Sequence, residues 1–245
     1  MRFFALLFIF VFAAVAAAHA PDFCIKNAVF EGNSVKPYST TTTYFYQGTV
    51  FDFPDGSQEI ALFNPGSQHF VLANPEKKVA TVLPFALIEK AYLKNSSEGL
   101  KSPGELSRFA ANPKFDTTAS KKEHVVLSSK ILTYQAKMNL NVKPEQAAAY
   151  ANFCDWNAKM DRTVRPASLP ADARLELNAA MLATGGIPSE IVLSIGEDKE
   201  AHLVKSQHTF VNELSEKDLQ RIKAAQTTLD ECKQVPLEKY LRNQK

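Results

Sequence analysis

With 28 lysines and arginines against 26 aspartates and glutamates, the 245-residue chain is near charge balance. No Lys/Arg cluster interleaves with aromatics, which argues against a nucleic-acid partner. Phenylalanine outnumbers glycine 17 to 9, so the chain calls for a sizeable core or an aromatic-lined cavity, and no Pro/Ser-rich linker divides it into two domains.

Met1-Arg2 leads into the uncharged run Phe3 to Val15 and then Ala16-Ala17-Ala18-His19-Ala20, the pattern of a secretory signal peptide. The run is short of the roughly 20 residues a membrane span needs; an uncleaved N-terminal anchor is the alternative. Ala16 and Ala18 satisfy the small-x-small rule, and cutting after Ala20 would leave Pro21 first. Cleavage is therefore expected before His19, giving a signal of residues 1–18 and one domain over 19–245. No lipobox precedes Cys24, so a lipid anchor is not expected. The expected location is secreted or periplasmic.

From Thr43 to Leu83, extended apolar runs alternate with turn chemistry. Thr43–Phe53, Gln58–Phe63, Gln68–Ala73 and Lys78–Leu83 are separated by Pro54-Asp55-Gly56-Ser57, Asn64-Pro65-Gly66-Ser67 and Asn74-Pro75-Glu76-Lys77. Proline presets the first turn angle, and Gly or Asn is expected to take the positive φ. Short strands with regular turns predict an antiparallel meander, with Ile60 and Leu62 on one face and Phe70 and Leu72 on one face of the next strand. Phe85–Lys94 is expected to be a short helix opened by Pro84, Asn95 to Gly104 a polar loop, and Leu106–Ala111 a turn or two of helix. Glu123–Leu127 and Ile131–Val142 read as strands. In the second, Leu132, Tyr134, Ala136, Met138, Leu140 and Val142 alternate with polar residues, one face buried and one wet.

Pro144 opens a helix on which Tyr150, Phe153, Trp156 and Met160 recur at spacings of three and four. Pro170 opens another, carrying Leu175, Ala179 and Leu182 and stopping at Gly185-Gly186. A strand with Ile191, Leu193 and Ile195 and a strand over Ala201–Val211 follow. A last helix starts at Ser215, with Asp218 as capping partner and Leu219, Ile222, Ala225 and Leu229 facing inward. Lys239 to Lys245 reads as a fraying polar tail. The fold class is therefore α+β: a curved, mostly antiparallel meander with helices packed on its apolar face.

Catalytic patterns are sparse. His202 and His208, six apart on one strand, stand roughly 20 Å apart at about 3.3 Å per residue, too far to share a zinc ion. His69 and His124 could meet them only through the fold. Gly-x-Ser-x-Gly, His-Glu-x-x-His and Cys-x-x-Cys do not occur, and Gly185-Gly186 follows a helix, the wrong polarity for an anion site. The acidic pairs Asp52/Asp55 and Asp161/Asp172 have loop or helix-end explanations. Neither a cofactor nor a metal is expected, and no catalytic residue is assigned. Of the three cysteines, Cys24 and Cys232 are the expected disulfide, worth on the order of 4 kcal/mol for so long a loop. Cys154 is expected to be a buried small apolar residue with a raised pKa. Asn95-Ser96-Ser97 matches a glycosylation acceptor.

Tyr44, Phe45, Tyr46, Phe51, Phe53, Phe63 and Phe70 crowd the meander, either as ordinary core or as the wall of an apolar pocket. The hairpin over Gln68–Leu83, the long strand Ile131–Val142 and the strand Gly186–Ile195 after a helical insertion together resemble the periplasmic lipoprotein-carrier superfamily (Lol-type carriers and lipid-binding lipoproteins). The resemblance spans about Asn27 to Val211, while the helices from Pro144 to Thr184 form a longer insertion than that pattern has. It implies a curved sheet around helices with an apolar cavity between them. The function expected is non-enzymatic binding of a lipid or acyl chain, held by burial alone, with Tyr46, Phe51, Ile60, Phe70, Tyr134 and Met138 as lining residues chosen by alternation. A structural or protein-interaction domain with a filled core is the alternative, and a secreted hydrolase the third possibility. A hydrophobic small molecule is the expected partner; a protein partner stays open.

Overall fold

The computed structural model describes residues 22–165, 168–196 and 201–242; the expected signal peptide lies outside the described residues. Its strands are β1 (Phe23–Glu31), β2 (Ser39–Tyr46), β3 (Thr49–Pro54), β4 (Ile60–Asn64), β5 (His69–Asn74), β6 (Val79–Pro84), β7 (His124–Leu127), β8 (Leu132–Asn139), β9 (Ile187–Ile195), β10 (His202–Val211) and β11 (Lys233–Gln234). The helices are α1 (Phe85–Leu100), α2 (Glu105–Ala111), α3 (Pro144–Val164), α4 (Asp172–Thr184), α5 (Glu216–Glu231) and α6 (Leu237–Arg242). All the strands join one open curved sheet in the order β11-β6-β5-β4-β3-β2-β1-β10-β9-β8-β7. Among the described residues only the β11–β6 pair is parallel, so the α+β class and the β4–β6 part of the meander are as the sequence predicts.

Local chemistry explains the turns, with two departures from expectation. The run Thr43–Phe53 is two strands, split by Gln47-Gly48 at φ 49° and 75°, a two-residue hairpin turn whose first position rarely holds glutamine. In the twin Asn-Pro turns, the side chains of Asn64 and Asn74 accept from the backbone N–H groups of Ser67 and Lys77, both at 3.0 Å. The positive φ then falls on Gln68 (55°) and Lys78 (50°), and not on Gly66.

The sheet buries both faces over β1–β4. On its inner face, Phe23, Phe45, Phe63, Phe70 and Leu83 pack against Ile88 of α1, Tyr150 and Phe153 of α3 and Tyr240 of α6. Phe23 stacks on Phe45 with centroids 4.1 Å apart, and Phe85 stacks on Trp156 at 3.8 Å. A second inner cluster joins Val125, Leu132, Ala136, Met138 and Ile191 to Ala173, Leu177 and Met181 of α4. The stripe of α4 turned inward is thus Ala173–Leu177–Met181, whereas Leu182 is exposed and Ala179 faces out. Both stripes have helical spacing, and packing chose between them.

On the outer face, α5 covers Cys24, Tyr44, Phe51, Phe53 and Ile60 with Ile222 and Ala225. Its start is fixed by the expected capping box, in which Asp218 N–H donates to Ser215 Oγ (3.3 Å) and Ser215 N–H donates to Asp218 Oδ2 (2.9 Å). Leu219, expected inward, is exposed. Farther along, over β8 and β9, the outer face is wet and carries a Lys137–Glu190 ion pair at 2.7 Å.

Three tertiary contacts override local sequence. Helix α1 runs on through Asn95–Leu100 because Tyr92 and Ser96 donate hydrogen bonds to Asp172 at the start of α4, at 2.8 and 2.6 Å. The Asn95-Ser96-Ser97 sequon therefore lies on a helix and not in a loop. The expected tail is helix α6, whose Tyr240 is fully buried and donates to Glu59 at 2.6 Å. All three cysteines are free: Cys24 is sealed under α5 and Cys232 caps the end of that helix, so the expected Cys24–Cys232 bridge is not formed.

Candidate binding cavity

Helix α3 crosses the inner face, and beneath its second half the floor changes character. At positions where inward alternation calls for large apolar groups, β1 places Asn27, β2 Thr41 and Thr43, β3 Asp52, and β10 Ser206 and His208. Asn27 sits directly between Thr41 and His208 in the ladder, and Thr43 lies opposite Asp52. Such side chains cannot close-pack against a helix as Phe and Leu do, and space remains.

Two adjoining lobes result, both bordered by Asn157 and Asp161 of α3. One, of about 690 Å³, lies over β2–β5 between Asp52, Thr41, Ala61 and Leu72 and the side chains of Met160, Val164 and Leu241. The other, of about 470 Å³, lies over β1, β10, β9 and β8, with Val29, Val204, Ile191, Leu193 and Tyr134 on one side and Cys154, Ala158, Leu169 and Arg174 on the other. Both volumes fall in the range of small-molecule sites.

The polar groups are organised by burial. Asp52 accepts a hydrogen bond from Thr43 Oγ1 at 2.5 Å; burial outweighs that bond and raises its pKa to about 6. His208 shares a hydrogen bond with Ser206 Oγ (3.0 Å) and meets the Tyr150 ring edge-on. Burial, aided by the Arg174 charge, lowers its pKa to about 3, so the imidazole is neutral near pH 7. Burial raises the Cys154 thiol and the Tyr134 phenol; Cys154, expected to be buried, is half-buried and borders the smaller lobe. Asp161 is paired with Arg165 (2.5 Å) and accepts from Ser168 (2.6 Å).

Among the described residues, His208 Nδ1 has no hydrogen-bond partner. Asp52 and Asp55 lie on opposite faces, Asp55 being held outside by Thr40 at 2.7 Å and near Arg221. Among the described residues, no group of three or more His, Cys, Asp or Glu could hold a metal ion.

Of the six lining residues chosen by alternation, only Tyr134 borders these lobes. Phe51 and Ile60 belong to the outer core under α5, and Tyr46 packs at its margin, beside a small apolar cleft of about 130 Å³. Phe70 and Met138 face inward but are packed solid, Phe70 against Phe63 at 4.9 Å and Met138 under α4. For Phe51 and Ile60 the cause is cross-strand register. Ile60 opposes Ala73, and Phe70 opposes Phe63, so the Ile60/Leu62 face and the Phe70/Leu72 face are opposite sides of the sheet. The cavity residues had a legible signal, a polar residue inside an apolar alternation, in Phe23-x-Ile25-x-Asn27-x-Val29 and Val204-x-Ser206-x-His208-x-Phe210. Compared with known proteins, the chain matches no family model and no curated protein.

Proposed function

We propose that this chain is a non-enzymatic binding protein of the cell envelope or extracellular space, taking a lipid or acyl chain between its sheet and helix α3. The observation that carries this is the pair of adjoining lobes, about 690 and 470 Å³, where a filled core would have left none. Apolar side chains alternate with polar ones along the wall, so a long chain would gain roughly 25 cal/mol per Å² of apolar area removed from water. Its polar end would find hydrogen-bonding groups at Asn27, Ser206 and Asn157. Burial alone, as expected from the sequence, does not describe such a wall. The location follows from the signal-like N-terminus and the lipid from the sheet-over-helix resemblance.

The test is direct. Protein purified from its native host is extracted with organic solvent and the extract identified by mass spectrometry, while a polarity-sensitive apolar dye is titrated into the stripped protein. Saturable dye binding displaced by a fatty acid, with a lipid in the extract, is the expected result. No saturable dye signal and a lipid-free extract would leave the filled-core interaction domain as the better description.

A further inference from the structure

Arg174, near the start of α4, is half-buried and borders the smaller lobe. No carboxylate among the described residues forms an ion pair with it. Its Nε donates to Asn178 Oδ1 at 3.0 Å, and Asn178 in turn donates to Asp155 at 2.8 Å. Asp155 is thus held one amide away from the guanidinium, across Asn178. Around the charge stand Tyr134, Tyr150, Cys154 and His208, none of them an anion near pH 7 because burial holds the phenols and the thiol protonated.

Two further buried polar atoms at this lobe, Asn27 Oδ1 and His208 Nδ1, have no hydrogen-bond partner among the described residues. They are cross-strand neighbours on the floor. Leaving such groups unsatisfied is costly, and a buried cation without an anion costs more. A guanidinium fork matches a carboxylate geometrically, two N–H groups to two oxygens. The same lobe continues along Val29, Val204, Ile191 and Leu193, which suit a hydrocarbon chain.

Resting on the binding function proposed above, we infer that the smaller lobe selects an amphiphile with a carboxylate head, the head on Arg174 and the chain along β1, β10 and β9. The neutral His208 imidazole stands beside the head as a second polar contact. A free small carboxylate shares the head chemistry but lacks the chain contacts.

The experiment uses the full chain, stripped of lipid, with dodecanoate, dodecanol and acetate as probes in calorimetric titrations. Dodecanoate is expected to bind at least tenfold more tightly than dodecanol, and acetate to compete only weakly. Arg174→Gln should remove the preference by weakening dodecanoate tenfold or more, leaving dodecanol unchanged. In a readout that needs no variant, bound dodecanoate labelled with ¹³C at the carboxyl should stay ionised at least one pH unit below its free value. Equal binding of dodecanoate and dodecanol, with an unshifted carboxyl titration, overturns the head assignment and leaves the lipid-binding function standing. Failure of both long-chain probes to bind overturns that function and the head assignment together. Acetate binding as tightly as dodecanoate overturns the chain's placement along the strands.

Discussion

At the scale of single residues, the cavity places two titrating groups with opposite consequences for stability. Asp52 has a folded pKa of about 6 against an ordinary 3.8. Its contribution is fully present below pH 3.8 and is lost as pH rises through 6, because the folded state holds the extra proton in that window. His208 has its pKa lowered to about 3 from 6.5. Its neutral form is kept in the folded state, so stability is complete above pH 6.5 and falls as pH drops toward 3. Between pH 4 and 6 the two slopes oppose. Asp52→Asn, which still accepts from Thr43, should therefore raise stability near pH 7 by up to about 3 kcal/mol. It should also unmask a steady decline from pH 6.5 downward in urea-unfolding midpoints; superimposable pH profiles for variant and wild type would contradict this assignment. Far from the cavity, Tyr240→Phe removes a 2.6 Å hydrogen bond to Glu59 and leaves the ring in place. A loss of about 1–2 kcal/mol is expected in the same assay.

Among the elements, α1 shows best how packing extends what local sequence leaves undecided. Asn, Ser, Ser and Gly read as a loop, yet the segment is helical because its hydroxyls meet Asp172 and its glycine meets a neighbour. A methyl on Gly99 would stand 2.7 Å from the Pro170 ring and 2.8 Å from the Ala111 methyl. Neither atom is the end of a flexible side chain. Gly99→Ala should gain up to about 1 kcal/mol of helix propensity and lose more to overpacking, for a net loss of about 1–2 kcal/mol. A thermal-unfolding midpoint at or above that of the wild type would show that the contact yields. Helix α5 illustrates the converse: its capping box was readable residue by residue, but its place on the outer face was not. That place depends on Asp218 also accepting from Tyr44 at 2.9 Å and on Arg221 lying over the Phe53 ring at 4.4 Å.

For the whole molecule, the division of labour between the faces of the sheet organises everything else. Over β1–β4 the sheet is a middle layer, with α5 outside and α1, α3 and α6 inside. That arrangement accounts for the abundance of aromatics, since both sides of each strand need filling. The two adjoining lobes lie where the inner floor turns polar under α3. A ligand seated there binds the folded state alone, and at a hundredfold excess over its Kd should add about 2.7 kcal/mol. For a chain of this size that corresponds to a midpoint rise of roughly 5–10 °C. Scanning calorimetry of the stripped protein with and without dodecanoate checks it.

Much of the architecture was legible in the sequence by itself: the α+β class, the meander from Gln58 to Leu83, the alternation of β8, and the Ser215 cap. Each depends on interactions within a few residues, which composition and period report directly. The strand β1, the extension of α1, the inward stripe of α4, helix α6 and the unbridged cysteines depended on partners more than 50 residues away or on which neighbours won the packing. The side of the sheet to which each alternating set belongs was likewise decided by cross-strand register. Periodicity tells which residues share a face, but only pairing tells whose face it is, and so the cavity came to lie over Asn27, Asp52 and His208 instead of Phe51 and Ile60.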